Sequence, residues 1–230
     1  MIEEGSWAAA RGQLYRFLAG AFLRPPTEQS VAPMLDGTVL PELAGQFGPD
    51  AVAELERFRA AFDGDWDALD QEYQSLFTVP LGRYVTPYEA VYHDERVVDG
   101  EVVRGLLMGP STLEVKAVYR DAGVDVADDV RELPDHIGLE LGCMEALCDA
   151  EARAQQEDDE AAVTRARKLQ RRLLQEHLLQ WAPKLCGRIS ANAPGPFYRG
   201  IAAVTEAFLE QEAESLTSRA GARARDARCE

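Results

Sequence analysis

Residues 132–156 read ELPDHIGLELGCMEALCDAEARAQQ, and this stretch predicts one long helix. Pro134 falls in the predicted first turn, where its missing N–H removes no hydrogen bond. Asp135 falls in the same turn, where the helix macrodipole stabilises a carboxylate and makes protonation of the neighbouring His136 less favourable. The four acidic residues that follow, 157–160, predict a short turn. Helical patterns of this kind dominate the rest of the chain.

Three helices are predicted before residue 80. The first ends before Pro25 and Pro26. The second spans 50–62, and the third begins after Asp65, a typical N-cap residue, and stops before Pro80. Apolar residues at helical spacing define them: Trp7, Leu14, Phe17, Leu18 and Phe22 in the first, Val52, Leu55, Phe58 and Phe62 in the second, and Trp66, Leu69, Tyr73, Leu76 and Phe77 in the third.

Further helices are predicted on either side of the 132–156 helix. They span 111–123, an arginine-rich stretch from the acidic turn to about residue 181, and 197 to about 216 after the break at Pro194-Gly195-Pro196. The charged residues 217–230 have no apolar stripe and are predicted to fray. The fold class predicted from these patterns is all-α, with a single helical bundle over 1–216.

The segment 81–110 differs in composition from the predicted helices, because glycine and proline recur through it. It is predicted to be a long irregular connection with one turn of helix at 87–92. Val97-Val98 and Val102-Val103 flank Asp99-Gly100, a dipeptide typical of the turn in a short hairpin.

The chain is acidic, with 24 Lys and Arg against 40 Asp and Glu in 230 residues, for a net charge of −16. This charge argues against a nucleic-acid binder and against binding to anionic membranes, and it suits a basic partner or simply a solvated surface. No apolar run reaches the ~20 residues that span a bilayer, and the acidic N-terminus is unlike a secretory signal. Four cysteines in such a chain are no disulfide framework. A cytoplasmic protein with reduced thiols and no stable membrane insertion is therefore predicted.

Motifs of the common enzyme classes are absent from the sequence. It has no Walker phosphate loop, no GxGxxG after a strand, and no GxSxG, HExxH or CxxC. Cys143 and Cys148 are five residues apart, so on a helix they point away from each other and form no metal clip. His93, His136 and His177 each have a carboxylate nearby and could act as a base or ligand, although a half-buried helical role is favoured for His177. The sequence therefore predicts no enzyme, no metal and no cofactor.

Three stretches combine aromatic, proline and charged residues: YQSLF at Tyr73–Phe77, PYEAVY at Pro87–Tyr92 and ELPDHIGLEL at Glu132–Leu141. In order and spacing they resemble the Y-x-x-L-F, P-x-E-x-V-Y and E-x-P-D-H-(I/L)-x-x-E-L motifs of the TorD/DmsD/NarJ family. These proteins are cytoplasmic maturation chaperones of molybdenum-cofactor redox enzymes. The resemblance covers about residues 10–210, with weaker matches at Thr112, Tyr119, Gly123, His177, Leu178, Trp181, Pro183 and Tyr198.

The resemblance implies an all-helical chaperone that binds the leader peptide or apo-form of a client oxidoreductase, assists cofactor insertion and delays export until maturation. In the family, the matching positions of the first and third motifs are tied to leader binding. This implies a peptide-binding role for Leu76, Phe77, Asp135 and His136. The second motif departs from the family at Tyr88, where Trp is common. The stretch 93–105 matches no family pattern, and client choice is expected to be encoded there.

The physical requirements of leader binding extend this set of residues. A twin-arginine leader offers two guanidinium groups and then an apolar stretch, so its receptor needs a hydrophobic groove edged with carboxylates. If the loop 81–92 folds over the preceding helix end, the groove is predicted to be formed by Tyr73, Leu76, Phe77, Pro87, Tyr88 and Tyr92. The predicted acidic contacts are Glu89, Glu132 and Asp135, with His136 as a hydrogen-bond partner. Asp135 is the central prediction.

Two other functions stay open at this point. One is a NarJ-like assembly factor that remains bound to a cytoplasmic reductase without an exported leader. The other is a small hydrolase with His136 as base and Asp135 as its orienter, for which nucleophile and phosphate motifs are missing. Helix capping and loop anchoring would also explain this pair of residues. The family permits monomers and domain-swapped dimers, and 123–132 is a plausible hinge for swapping. The sequence does not name the client.

Overall fold

The computed structural model describes residues 4–127 and 130–226, and it is all-α as predicted. The elements, in chain order, are α1 (Glu4–Leu23), α2 (Glu28–Leu35), α3 (Val39–Phe47), α4 (Pro49–Ala61), α5 (Trp66–Tyr73), α6 (Ala90–His93), β1 (Arg96–Val98), β2 (Glu101–Val103), α7 (Pro110–Ala122), α8 (Ile137–Gln156), α9 (Glu160–Leu173), α10 (Leu179–Asn192) and α11 (Pro196–Asp226). Two π-helical turns continue α5 and α9, at Gln74–Thr78 and Leu174–Leu178.

One hydrophobic core joins these helices. Helix α1 packs along α8, α9 lies against α8, and α11 packs against α4 and α10. Its largest fully buried side chains include Trp181, Tyr15, Tyr92, Tyr198 and Phe22. The apolar stripes predicted from the sequence therefore face a shared interior, as in a helical bundle.

A buried ion-pair network ties α1 to α11 within this core. The Arg11 Nε donates to Glu212 Oε1 at 2.8 Å, and Nη2 donates to Gln170 Oε1 at 3.0 Å. The Tyr15 hydroxyl donates to the same Glu212 carboxylate at 3.0 Å. Arg11 and Glu212 are almost fully buried, and the Arg11 Nη1 also lies 3.4 Å from the buried Glu151 carboxylate, so one guanidinium compensates two buried carboxylates.

Several predicted boundaries agree with the structure. Asp65 caps α5 by accepting the Ala68 N–H at 2.9 Å, and Gly123 ends α7 in the left-handed conformation. The predicted hairpin is confirmed, with Val97 opposite Val102 and positive φ angles of 52° and 84° at Asp99 and Gly100. Around it, 81–110 is irregular apart from α6, as predicted.

Other details differ from the predictions. Helices α2 and α3 were not predicted, because Pro33, Pro41 and Gly37 break up the pattern of this stretch, yet its apolar side chains are buried. The prediction that the long helix begins at Glu132 is wrong. Helix α8 begins at Ile137, so Asp135 precedes the helix and does not lie in its first turn.

Two predicted features overlap the limits of the described chain. The suggested hinge at 123–132 includes 128 and 129, which lie outside the described residues. The backbone of α11 is helical to Asp226, within the predicted 217–230 tail, and residues 227–230 again lie outside the described residues.

Candidate functional site

The second and third sequence motifs are joined into one unit by backbone hydrogen bonds. The Glu89 N–H donates to the Asp135 carbonyl oxygen at 2.8 Å, and the Ile137 N–H donates to the Pro87 carbonyl oxygen at 2.9 Å. The two segments run antiparallel, as in a minimal sheet ladder. This pairing ends the turn before α8 and explains why α8 begins only at Ile137.

The Asp135 side chain lies inside this junction and is fully buried. Its Oδ2 accepts the Ala90 N–H at 3.1 Å, so the carboxylate caps the start of the short α6. Its Oδ1 has no hydrogen-bond partner among the described residues. Burial raises the pKa of the Asp135 carboxyl above its ordinary value. Burial disfavours the charged form of this carboxylate, but its position lets it accept a hydrogen bond from the α6 backbone.

His136 has a capping role of its own. Its Nδ1 accepts the Gly138 N–H at 3.0 Å, at the N-terminus of α8. The ring meets Tyr88 edge to face, with centroids 5.4 Å apart. Burial lowers the pKa of His136 to about 4, so the imidazole is neutral near pH 7 and can accept this hydrogen bond.

Glu89 is fully buried between two histidines. His177 Nδ1 lies 3.0 Å from both Glu89 carboxylate oxygens, and His93 Nδ1 lies 2.6 Å from Oε1. His177 reaches Glu89 from the π-helical turn 174–178, a type of distortion that is common at functional sites. The favoured interpretation of His177 as a half-buried helical residue is wrong, because its side chain is fully buried and bonded across the fold.

A second buried carboxyl group, Glu140, lies beside Glu89. The Trp181 indole N–H donates to its Oε2 at 3.3 Å, and Trp181 in turn stacks on Tyr92 with centroids 5.6 Å apart. Burial, and then the nearby Glu89 charge, raise the pKa of Glu140 well above its ordinary value. Burial and the neighbouring Glu89 charge thus both favour the neutral form of the Glu140 carboxyl over its charged form.

The first motif lies in the core. Tyr73 ends α5, and Leu76 and Phe77 lie in the π-helical turn 74–78 that follows it. All three are buried in the core, with at most 8% of any of them exposed. The Tyr73 hydroxyl donates to the Phe22 carbonyl oxygen at 3.3 Å. The loop does fold over this helix end, because the Val85 N–H donates to the Leu76 carbonyl oxygen at 2.7 Å.

The predicted site residues therefore divide into an interior and a rim. The interior contains those that are buried: Tyr73, Leu76, Phe77, Pro87, Glu89, Tyr92, Asp135 and His136. The rim contains Tyr88, which is half-buried, and Glu132, which is exposed. The Tyr88 hydroxyl donates to Glu132 Oε2, and burial together with this carboxylate raises the pKa of Tyr88.

The rim opens onto a groove beside α7. The groove has a volume of about 950 Å³ and lies between α7 and residues of the stretches 123–127 and 130–134, with Leu113 and Glu132 among its lining residues. The Tyr119 hydroxyl closes one side by donating to the Pro134 carbonyl oxygen at 2.7 Å. Neither this groove nor the roles of His177 and Glu140 were predicted from the sequence. For His177, the available signal was its match, together with Trp181, in the resemblance.

Two properties of the described chain bear on its class. No helix within residues 4–127 and 130–226 is both long and apolar enough to cross a membrane. Among those same residues, no three His, Cys, Asp or Glu side chains are grouped in a way that could hold a metal ion.

The sequence is similar over most of its length to those of proteins named as chaperones. A chaperone protein TorD of Shewanella loihica (strain ATCC BAA-1088 / PV-4) is 26% identical over 220 residues, covering 90% of this chain and 93% of that protein. A chaperone protein TorD of Vibrio cholerae serotype O1 (strain ATCC 39541 / Classical Ogawa 395 / O395) is 24% identical over 213 residues, covering 90% and 91%. A perchlorate reductase assembly chaperone protein of Dechloromonas aromatica (strain RCB) is 23% identical over 227 residues, covering 94% of each chain.

A family model described as nitrate reductase delta subunit matches residues 47–187, which contain all three motifs and the groove. The resemblance to the TorD/DmsD/NarJ family is thereby confirmed. The chain belongs to the nitrate reductase delta subunit family.

Proposed function

We propose that this protein is a cytoplasmic, client-specific chaperone that acts without catalysis in the maturation of a molybdenum-cofactor oxidoreductase. It would bind the client's twin-arginine leader, its apo-form or both, assist cofactor insertion and delay export until maturation is complete. The observation that carries this proposal is the similarity over 90% or more of the chain to proteins named as chaperones of this kind. No cofactor of its own is needed for such a role.

Leader binding is assigned to the rim, with the interior as its support. Glu132 is an exposed carboxylate that the Tyr88 hydroxyl holds at the edge of a groove. A carboxylate in this setting can pair bidentately with an arginine guanidinium. Asp135, His136 and Glu89 then act as positioning residues, because their bonds fix the segment that carries Tyr88.

A second candidate is an assembly factor for a reductase subunit that is not exported. Two observations favour it: the description of the matching family as nitrate reductase delta subunit, and the similarity to a perchlorate reductase assembly chaperone. Such a client would lack a leader, and the chaperone would hold its apo-form in the cytoplasm. Affinity capture from native cells, with mass spectrometry of the partner, identifies the client and separates the two candidates.

Calorimetry with the leader peptide of that client tests the rim. Glu132→Gln keeps the size of the side chain and an acceptor for Tyr88 but removes the charge. We expect affinity to fall by about tenfold, because a charge-assisted hydrogen bond is worth ~1.5–3 kcal/mol. Glu114→Gln, an exposed acid on α7, is the matched control. Equal affinities for the two variants and the wild-type protein would contradict the assignment of Glu132.

Light scattering on the purified protein settles whether it is a monomer or a domain-swapped dimer. The described part of the hinge proposed for swapping, at 123–132, also lines the groove, through residues 123–127, 130 and 132. A swapped dimer is therefore expected to bind the leader peptide with an altered affinity, measurable by separating the two forms before calorimetry.

A further inference from the structure

Three large apolar side chains are exposed side by side in the short loop between β2 and α7. Leu106 is 78% exposed, Leu107 52% and Met108 70%. Single exposed apolar residues are ordinary, but a contiguous group of them is typical of an interaction surface.

The loop is attached at both ends, so these side chains are presented outwards. The Gly105 N–H donates to the Val91 carbonyl oxygen at 3.3 Å, and a Cβ at Gly105 would lie only 1.8 Å from the Ala90 carbonyl oxygen. A Cβ at Gly109 would lie 2.1 Å from Asp94 Oδ2. Position 105 therefore requires glycine, because the α6 backbone approaches it too closely for a side chain, whereas a side chain at Gly109 would displace the Asp94 carboxylate.

The apolar surface continues onto α7. Leu113 lies in the first turn of that helix, directly after the loop, and is 69% exposed. It also lines the groove that contains Glu132 at the edge of the paired motifs. We name Leu106, Leu107, Met108 and Leu113 the apolar track. The track joins the loop to the first turn of α7, and its last residue, Leu113, lines the groove that contains the exposed Glu132.

We propose that the apolar track binds the apolar run of the client's leader peptide, while Glu132 binds an arginine that precedes that run. This inference rests on the proposed function and deepens it by naming the second half of the peptide site. A segment with arginine at one end and apolar residues after it matches a surface with a carboxylate at one end and apolar side chains at the other.

The other charges of the groove support one direction of the peptide. Lys116 and Arg120 line the same groove from α7, so they repel an arginine placed on the α7 side. Asp125 and Glu132 both lie on the opposite wall, formed by residues of 123–127 and 130–134. Arginine is therefore favoured on that wall and the apolar run along α7 and the loop.

Calorimetry with synthetic peptides tests the proposal. The full peptide carries two adjacent arginines followed by a leucine and alanine run. A second peptide has the run replaced by glycine and serine, and a third has the arginines replaced by glutamine. The protein variants are Leu106→Ser with Leu107→Ser, Leu113→Ser alone, and the control Leu81→Ser, which changes a leucine that is 75% exposed on another loop.

We expect the double variant to bind the full peptide about tenfold more weakly than the wild-type protein does, and the control to bind it equally. The glycine and serine peptide should bind the wild-type protein and the double variant with the same reduced affinity. Because the substituted side chains are exposed, the unfolding midpoints of the variants in urea should equal that of the wild-type protein. Leu113→Ser tests the α7 part of the apolar track independently of the loop.

Different outcomes overturn different statements. If no peptide binds the wild-type protein, the proposed function of leader binding fails. If the full peptide binds but the double variant and Leu113→Ser match the wild-type protein, only the apolar track is refuted. If light scattering shows a wild-type dimer that the double variant abolishes, a second copy covers the track and the proposal is overturned.

Discussion

The roles of Asp135 can be separated by comparing Asp135→Ala with Asp135→Asn. In the structure the carboxylate is fully buried, and its Oδ2 accepts the Ala90 N–H at 3.1 Å. Alanine removes this acceptor and leaves a buried N–H without its partner, at a cost of ~1–3 kcal/mol. Asparagine keeps an acceptor oxygen and removes a charge that burial disfavours, so its loss should stay below about 1 kcal/mol.

The same pair of variants distinguishes positioning from direct contact in peptide binding. If Asp135 paired directly with a leader arginine, Asp135→Asn would cost ~2–5 kcal/mol of affinity, which is about 30-fold or more. If Asp135 only holds the segment that carries Tyr88, Asp135→Asn should bind the leader within about threefold of the wild-type protein. Asp135→Ala should weaken binding under both hypotheses, because it releases the start of α6.

Urea denaturation followed by circular dichroism measures the stability of both variants, and calorimetry with the leader peptide measures affinity. Two results would refute the reasoning. One is equal destabilisation by alanine and asparagine, which would show that the Ala90 bond contributes nothing. The other is loss of binding in Asp135→Asn with unchanged stability, which would place the arginine on Asp135 itself.

Two further predictions concern the buried charges. Arg11→Met should lower the free energy of unfolding in urea by ~3–5 kcal/mol, because it leaves the buried Glu212 charge without its partner. The control Arg16→Ala, at a side chain that is 60% exposed, should lower it by less than about 1 kcal/mol. Similar losses for the two variants would contradict this prediction. Glu140→Gln should flatten the dependence of stability on pH. The pKa of Glu140 is raised in the folded state above its ordinary value of 4.5. Its contribution to the stability of the wild-type protein is therefore fully present below pH 4.5 and is lost as the pH rises through the pKa of the folded state. Urea midpoints measured across that range should fall for the wild-type protein and fall less for the variant.

Much of the helical organisation could be predicted from local signals. Asp65, Gly123 and Asp99-Gly100 act through their own backbone geometry, so their positions mark the start of α5, the end of α7 and the hairpin turn without knowledge of the partners. Helices α2 and α3 were missed because Pro33 and Pro41 oppose helix formation locally. In the fold their buried residues, such as Leu40, contribute packing that overrides this preference.

The candidate site was predictable as a set of residues but not as a geometry. The motif Glu132–Leu141 was predicted to open a helix at Glu132, but α8 begins five residues later, at Ile137. The reason is non-local: the backbone of 135–137 pairs with 87–89, and no local signal reports that pairing. His177 was discounted for the same reason, since only the folded chain brings Glu89 to it.

By itself the sequence determined that the chain folds as a helical bundle, that its surface is acidic and that three motifs place it among maturation chaperones. These follow from periodicity, charge and motif spacing, which are properties of short segments and of composition. Only the tertiary structure decided which motif residues face the interior and which form the rim. Burial is set by contacts between distant segments: of two carboxylates three residues apart, Glu132 is exposed and Asp135 is a buried backbone cap.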